Sequence, residues 1–396
     1  MPAIVGSVAC PPYDVVNREE AAERARGNPV SFLHIIRAEI DLPDVDAHDP
    51  RVYARARRNL DLFYQEGTFL RDAAPALFVY ELTWEGRTQT GVAGCLHVDD
   101  YAGDVIRKHE TTRPDKEDDR TRHILALNAQ AEPVLLAYAG HPIIAKLNAG
   151  VVADADPLYD FEADGVRHRV WKVSRPDAYV DAFRRVEHVY VADGHHRSAS
   201  AWRAAGERRA ANPAHTGDEE YNWFLGVLFP ASQLRILPYH RVVRDLGGLS
   251  AAQFLARLTD VGTLERGGAP VPEHAGAFGV YADGSWHRLT LDGPVVDLRD
   301  PARSLDAAQL QERVLAPILG ITDVRTDPRI DFVGGIRGPE ELERRVAGGE
   351  AAAAFALHPV TVEQLMTVSD HGGIMPPKST WFEPKLRSGL FLHSFD

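Results

Sequence analysis

Residues 192–197 read Ala-Asp-Gly-His-His-Arg, and their types suit the binding of phosphate. The preceding residues 187–192 predict a strand and residues 198–205 have helical composition, so this segment is a turn that begins a helix. A glycine lets a ligand approach the backbone, the first amides of a helix face outward, and an arginine offers a forked pair of donors. We therefore expect phosphate to contact Asp193, Gly194, His195, His196 and Arg197. The competing interpretation is a strand end capped by Asp193, with both histidines in solvent.

A second segment, residues 107–120, contains many charges of both signs. Phosphoryl transfer needs cations on the phosphates, carboxylates that hold magnesium and a base near the acceptor hydroxyl. The expected phosphate-binding cations of this segment are Arg107, Lys116 and Arg120, and the expected magnesium ligands are Glu110 and Asp118. Candidates for the catalytic acid or base are Glu110, His109 and, from the turn, His196. The alternative is a solvated loop and helix start, capped by Thr112 or Asp115.

Two proline-stiffened segments could add further groups. Asp14 follows Pro11, Pro12 and Tyr13, and it is a fourth catalytic candidate, with helix capping as the alternative. Lys378 and Ser379 follow Pro376-Pro377, and together with Lys385 they could present cations and a hydroxyl to an anion. No glycine-rich frame precedes them, so the segment is not a Walker-type loop, and ordinary packing is the alternative. Adjacent histidines point apart on most backbones and no HExxH spacing occurs, so the donors favour magnesium over zinc.

Both helices and strands are expected to position these residues. Two-residue turn signals at Glu85-Gly86, Asp164-Gly165 and Asp283-Gly284 predict antiparallel hairpins, whereas residues 49–67 predict an amphipathic helix. The fold class is therefore α/β in the mixed α+β sense. At 396 residues the chain exceeds what one core usually serves, and we expect two lobes, residues 1–245 and 246–396, with the turn in the first.

Composition limits the partners. A net charge of −13 repels polyanions, so nucleic acid is a disfavoured partner. The two cysteines have no paired spacing, which indicates a reducing compartment. No charged and apolar leader opens the chain and no apolar run reaches the roughly 20 residues that span a bilayer, so we expect a cytoplasmic protein without membrane contact.

Several motifs together carry a family resemblance. Residues 191–197, followed by Ala199, resemble the signature of an uncharacterised bacterial and archaeal family, number one-zero-one-five among the domains of unknown function, often described as ParB-like. Other segments resemble the same family in order: residues 10–16, 28–37, 109–111 with 116–120, 238–241, and 375–380 with 384–386. The resemblance covers nearly the whole chain.

That resemblance implies a fold and a chemistry. The turn is similar to the phosphate-binding turns of the ParB and sulfiredoxin superfamily, which includes partition proteins, sulfinic-acid reductases and free-serine kinases, so a nucleotide-binding core of that kind is expected within the larger two-lobed protein. Sulfiredoxin chemistry needs a cysteine where this chain has His195, which argues against that branch. Partition proteins add a helix-turn-helix and basic surfaces, and neither is found here. The serine-kinase branch fits best.

The sequence therefore predicts an enzyme that transfers a phosphoryl group between a nucleotide, ATP or ADP with magnesium, and a small hydroxylated metabolite. Serine or phosphoserine is the first choice of substrate, and the kinase and phosphatase directions stay open, as does a homodimer. The alternative class is a non-catalytic, ParB-like nucleotide-binding regulator associated with DNA.

Overall fold

The structure is a computed structural model that describes residues 4–293 and 296–396. The chain forms two compact units, one that extends to Leu234 and includes Pro384–Asp396, and one formed by Arg235–Glu383. The second unit is thus an insertion in the first. These units differ from the expected lobes, 1–245 and 246–396, because residues 239–243 pair with strands of the second unit and because Ser388 pairs with Cys10 of the first.

The first unit contains helices and strands in alternation. Its helices are Val5–Val8 (α1), Arg18–Ala25 (α2), Leu33–Ile36 (α3), Pro50–Gln65 (α4), Val98–Ala102 (α5), Pro114–Leu127 (α6), Pro142–Asp154 (α7), Pro176–Phe183 (α8) and His195–Ala211 (α9). Its first nine strands are Phe78–Trp84 (β1), Arg87–His97 (β2), Ile106–Arg107 (β3), Ala129–Gln130 (β4), Val134–Tyr138 (β5), Tyr159–Ala163 (β6), Val166–Lys172 (β7), Val189–Asp193 (β8) and Trp223–Pro230 (β9). The expected mixed α/β class is confirmed.

Eight of these strands form one sheet in the order β3-β8-β5-β9-β2-β1-β7-β6. The pairs β3 with β8 and β5 with β9 are parallel, and the other neighbours are antiparallel. The hairpins expected at Glu85-Gly86 and Asp164-Gly165 are present, with positive φ at both residues of each turn. A core of buried aliphatic and aromatic side chains, Trp171 and Phe224 among them, packs the helices against this sheet.

The second unit has its own core around Phe254, Phe278 and Phe355. Its strands are Arg235–Leu237 (β10), Tyr239–Val243 (β11), Gly262–Arg266 (β12), Ala277–Ala282 (β13), Ser285–Leu291 (β14), Ile330–Gly334 (β15), Ala353–Leu357 (β16) and Trp381–Glu383 (β17). Its helices are Ala251–Leu258 (α10), Asp306–Leu310 (α11), Ala316–Leu319 (α12), Gly338–Ala347 (α13) and Val362–Asp370 (α14), with a π-helical turn, Gln311–Leu315, between α11 and α12. Six strands form an antiparallel sheet in the order β12-β14-β13-β16-β11-β15, and β10 pairs with β17.

After the second unit the chain completes the first. His393–Ser394 (β18) pairs with β4, and Phe391 packs edge-on against Tyr80 of β1. Short 3-10 helices connect other elements at Tyr13–Val15, Ala38–Asp41, Glu220–Asn222, Ala231–Gln233, Pro301–Ser304 and Gly335–Arg337. Among the helices of the described residues, each is too short or too polar to span a bilayer.

Candidate functional site

Strand direction brings two of the predicted segments together. β3 and β8 are parallel, with Ile106 opposite Val189 and Arg107 opposite Tyr190, so the residues that follow both strands leave the same edge of the sheet. His109 and Glu110 follow β3, and the turn at Gly194 follows β8. The helices that come next, α6 and α9, pack against each other. Residues more than 80 positions apart, such as His109 and His195, therefore become neighbours through hydrogen bonding and ring contact.

The turn has the strand, glycine and helix order that its sequence predicts. Gly194 has φ +102°, and a Cβ there would lie 3.0 Å from the Cζ and the Nε of Arg197, so both conformation and space favour glycine. α9 begins at His195, earlier than the sequence indicated, and continues through Gly206 to Ala211. The first amides of α9, like those of any helix, have no carbonyl partner within the helix, and Gly194 supplies no side chain to cap them. This is the local geometry that binds anions elsewhere.

Arg197 lies beneath this turn and not at its surface. Its side chain is 5% exposed, and its Nη1 donates to the carbonyl of Pro133. Its Nη2 lies 3.6 Å from Asp14 Oδ2 and 3.7 Å from Asp193 Oδ1, while Nε and Nη2 make no hydrogen bond with the residues that the structure describes. Burial by itself would lower the pKa of Arg197, but the carboxylates of Asp14, Asp193 and Glu132 raise it above its ordinary value. The guanidinium is therefore already flanked by two carboxylates and shielded from direct contact with a phosphate at the surface.

Lys385, which the sequence suggested as an anion-binding cation, is instead a partner of an aspartate in the turn. Its Nζ lies 3.0 Å from Asp193 Oδ2, and both side chains are largely buried. Burial would raise the pKa of Asp193, yet Lys385 and Arg197 hold it below its ordinary value. The sequence signal was the proline-stiffened segment that contains Lys385, but nothing local connects it to a turn 192 positions earlier.

Arg120, expected on the phosphate, occupies a buried ion-pair network. Its Nη2 lies 2.6 Å from Asp119 Oδ2, and its guanidinium covers the Tyr13 ring at 4.2 Å. Its Nη1 is 3.7 Å from Glu132, which is buried and accepts the Tyr13 amide at 3.0 Å. Burial raises the pKa of Glu132 despite the cations of Arg197 and Arg120. Because Arg120 is already paired with Asp119, it could contact a phosphate only if that ion pair broke.

His195 in the turn and its neighbour His109 are uncharged, in contrast to Arg197. His195 Nε2 accepts the backbone N–H of His109 at 3.5 Å, and the two rings meet edge to face at 4.4 Å. Burial lowers the pKa of both histidines to about 3, so both imidazoles are neutral at neutral pH. With Nε2 accepting, the His195 proton belongs on Nδ1, which lies 3.8 Å from Glu110 Oε2. Because Glu110 is one third exposed at 33%, this pair connects the buried imidazole to the surface.

His196 connects the turn to the start of α6. Its Nε2 accepts the backbone N–H of Arg113 at 3.0 Å, one residue before the helix begins at Pro114. This hydrogen bond places the first turn of α6, which carries the half-buried Lys116, next to the first turn of α9. The two helix N-termini therefore lie side by side.

The remaining predicted residues have other neighbours. Arg107 Nη2 is 2.8 Å from His188 Nε2, and Asp118 Oδ1 is 2.7 Å from Arg203. In the second unit, Lys378 Nζ lies 5.6 Å from the centre of the Tyr239 ring, and the buried Ser379 donates to the Pro376 carbonyl at 2.6 Å. Asp118 is thus ion-paired and does not contact Glu110 in the described network. Within residues 4–293 and 296–396, no three or more His, Cys, Asp and Glu side chains are grouped to hold a metal ion.

The family resemblance is confirmed by a profile match. The profile described as "Protein of unknown function (DUF1015)" matches residues 1–308. The curated proteins contain no match to this chain.

Some solved structures are similar to the chain at low identity. Free serine kinase in complex with AMP shares 12% identity with a TM-score of 0.37, over 73% of this chain and 86% of that one. SbnI with C-terminal truncation from Staphylococcus aureus shares 12% with a TM-score of 0.38, over 75% and 85%. A conserved hypothetical protein from Pyrococcus furiosus shares 13% with a TM-score of 0.35, over 75% and 93%. Likeness at this level leaves the activity of the chain to be inferred from its own residues.

Proposed function

We propose that this chain, which belongs to the DUF1015 family of proteins of unknown function, transfers a phosphoryl group between a nucleotide and a small hydroxylated metabolite. One observation carries the proposal. Two partly exposed carboxylates from distant parts of the chain, Asp14 and Glu110, lie within 4 Å of Arg197 and His195 at the N-terminus of α9. A helix N-terminus supplies the anion-binding amides, and the carboxylates supply proton acceptors.

The amides of the first turn of α9 are the proposed phosphate ligands. They follow Gly194, whose lack of a side chain leaves the backbone open to close approach. Arg197 supports this turn from below through Asp14 and Asp193. Its contribution is to position the turn and add positive potential, because its guanidinium is buried. Lys116 and His196, at the neighbouring helix start, are the remaining candidates for direct contact.

Glu110 is the proposed general base. The side chain of Glu110 is 33% exposed and lies 3.8 Å from Nδ1 of His195, so it is accessible to an acceptor hydroxyl bound beside the turn. In the transfer, Glu110 takes the proton of the acceptor hydroxyl, the hydroxyl oxygen bonds to phosphorus, and the bond from phosphorus to the departing oxygen breaks. If water is the acceptor, the same atoms carry out hydrolysis, so the kinase and phosphatase directions use one site.

Charge at the site favours a nucleotide accompanied by a cation. The buried carboxylates of Asp193 and Glu132 and the more exposed Asp14 surround Arg197, so an uncompensated phosphate meets repulsion. Magnesium, when bound, would neutralise phosphate charge. The carboxylate of Asp14 is a hard oxygen donor suited to magnesium, whereas Glu110 is assigned as the base and the expected ligand Asp118 is paired with Arg203. The resemblance of the turn to that of free-serine kinases makes serine and phosphoserine the first substrates to test.

The test combines binding with turnover. Nucleotide binding is measured by calorimetry with AMP, ADP and ATP plus magnesium, and transfer to serine or from phosphoserine is followed by phosphorus NMR. Glu110→Gln should lower turnover by roughly 10²- to 10⁴-fold while nucleotide affinity changes little, because a general base acts on the chemical step. Asp118→Asn, on the neighbouring helix and paired with Arg203, is the control and should retain turnover.

Two results would contradict the proposal. Full turnover in Glu110→Gln would remove Glu110 as base. Tight nucleotide binding without transfer to or from any hydroxylated metabolite or water would favour the non-catalytic, ParB-like regulator.

A further inference from the structure

A cavity in the described part of the chain lies away from the turn. It has a volume of about 580 Å³ and is bounded by α7, by β1 and β2 and by the ends of β5 and β9, all within the first unit. β5 separates it from the turn, since Leu135 at the start of β5 pairs with Asp193 while Tyr138 at its end lines the cavity. Three residues of strand amount to about 10 Å. The cavity and the turn therefore lie at opposite ends of β5.

The end of β5 at the cavity is a place where ligands commonly bind. β5 and β9 are parallel neighbours, and their carboxyl ends, Tyr138 and Pro230, are paired at the cavity. In open α/β sheets, ligands bind in crevices outside the carboxyl ends of parallel strands. The volume is also within the range of roughly 300–1,000 Å³ found for small-molecule sites.

A tyrosine hydroxyl lines the cavity. Tyr138 is 1% exposed, and its hydroxyl makes no hydrogen bond with any residue in the described parts of the chain. Its ring is held edge-on by Phe183 at 5.5 Å, and burial raises its pKa to about 12, so the hydroxyl stays protonated. The hydroxyl oxygen itself is not fully buried, so it is open to a molecule in the cavity. An acceptor on a bound molecule would satisfy it.

Amide side chains add donors beside the hydroxyl. Gln233 uses its Oε1 to accept the Thr90 amide at 2.7 Å, which leaves its Nε2 as a donor. Asn148 uses its Oδ1 to accept the Tyr179 hydroxyl at 3.0 Å, which likewise leaves its Nδ2. Both residues line the cavity. In both amide side chains the oxygen already accepts a hydrogen bond, so the amide nitrogen is the group that can donate to a ligand.

One acceptor in this cavity is the carboxylate of Glu81, whose charge is balanced by Arg169. Glu81 is 6% exposed, and its cross-strand neighbours on the two sides are Arg169 and Thr90. Arg169 forms an ion pair with one carboxylate oxygen, and the Thr90 hydroxyl donates to the other at 3.1 Å. Because Glu81 and Arg169 are paired with each other, neither offers an unpaired counter-charge to a charged ligand in return for its lost hydration. A hydroxyl group, which both donates and accepts, matches the carboxylate and the free donors together.

We propose that this cavity binds a neutral polyhydroxylated molecule of monosaccharide size, a sugar or polyol. Its hydroxyls meet Tyr138, Gln233 and Glu81, and its carbon skeleton lies along Ala145, Ala149 and Val152, which form one face of α7. The site is distinct from the phosphoryl-transfer site and does not depend on that activity.

The test uses the full chain with glucose, myo-inositol and sorbitol as probes, and gluconate and glucosamine as charged counterparts. Saturation-transfer NMR and calorimetry report binding. Ala149→Trp fills the cavity from an exposed helix position and should abolish binding, whereas Lys146→Trp, on the same helix but outside the lining, should bind as the wild type does. Tyr138→Phe removes one hydroxyl and should weaken binding by about three- to tenfold, the effect of one neutral hydrogen bond.

The proposal fails if none of the three neutral probes binds saturably. It also fails if Ala149→Trp binds as tightly as Lys146→Trp, or if gluconate or glucosamine binds more tightly than glucose. Circular dichroism of each variant verifies that a loss of binding is not a loss of fold. Neutral-probe binding that is lost in Ala149→Trp alone, with weakening in Tyr138→Phe, supports the site whatever the phosphoryl-transfer assay shows.

Discussion

Arg197 and His195 belong to the same turn and are equally buried, each 5% exposed, yet burial affects them in opposite ways. The imidazole responds to burial by losing its proton, and its pKa falls to about 3. A guanidinium cannot lose its proton in proteins, so the fold surrounds it with Asp14, Asp193 and Glu132. One side of the turn is thus a fixed network of charges, and the other is neutral and has a path to solvent through Glu110.

The two sides of the turn therefore have different expected roles: the Arg197 side supports the backbone, and the His195 side takes part in the reaction. Groups locked in a charged network position the backbone, whereas the partly exposed carboxylate of Glu110, beside a neutral imidazole, stays accessible to a substrate. We therefore expect substitutions on the Arg197 side to act mainly on stability and those on the His195 side mainly on pH dependence and rate.

The largest effect is expected from Arg197→Met. It leaves buried carboxylates without their central cation and should lower the free energy of unfolding by about 3–5 kcal/mol. Urea denaturation measures it, with Arg203→Met as control, because Arg203 pairs with Glu117 and Asp118 nearer the surface and should cost below about 1 kcal/mol. Arg197→Lys keeps the charge and should recover part of the loss. Equal stability of the two methionine variants would contradict the comparison.

Lys385→Met should have the next largest effect. It removes the closer of the two cations from Asp193, and we expect a loss of about 1.5–3 kcal/mol at neutral pH. The folded-state pKa of Asp193 lies below its ordinary value of 3.8, so its contribution to stability is present above pH 3.8 and is lost as the pH falls further. Urea denaturation across pH should therefore show wild type and variant converging in acid. A constant difference at every pH would mean that Lys385 acts through packing alone.

His195→Gln should change the slope of stability against pH. Because the folded-state pKa of His195 is about 3 and its ordinary value is 6.5, the unfolded chain binds the proton first, and stability falls as the pH drops from 6.5 towards 3. Glutamine can still accept the His109 amide but does not titrate. The variant should lose stability less steeply in that window, by up to about 1.4 kcal/mol per pH unit. An unchanged slope would show that the buried imidazole is protonated in the folded state.

Glu110→Gln should have the smallest effect on stability. The side chain is one third exposed and meets a neutral imidazole, so the change in unfolding free energy should stay within about 0.5 kcal/mol. Thermal denaturation measures it on the same samples used for turnover. A loss as large as that of Lys385→Met would place Glu110 in the supporting network and not in the reaction.

The sequence predicted the local backbone geometry of the site better than it predicted which of its side chains are buried. The strand, Gly194 and the helix start are encoded by adjacent residues, and so are the hairpins. Whether Arg197 points outward or inward depends on Asp14 and Pro133, which are distant in sequence. Arg120 lay in a polar run typical of a solvated helix, but its partners Asp119, Glu132 and the Tyr13 ring bury it.

The division of the chain was also beyond local signals. The second unit begins at Arg235 without a linker of biased composition, because β10 and β11 follow β9 after a single short helical turn. The role of Lys385 depends on the return of the chain to the first unit, and no periodicity or turn residue indicates such a return. Both the division into units and the position of Lys385 depend on contacts between residues that are distant in sequence.

That return also sets an order of events while the chain is being made. Residues 235–383 leave the ribosome before Lys385 and Ser388, the partners of Asp193 and Glu132. The second unit, which is continuous in sequence, can fold as soon as it has emerged. The turn at Gly194, although synthesised much earlier, must wait with its carboxylates incompletely paired. The part of the nascent chain that carries the candidate active site is therefore the last to reach its final electrostatic state.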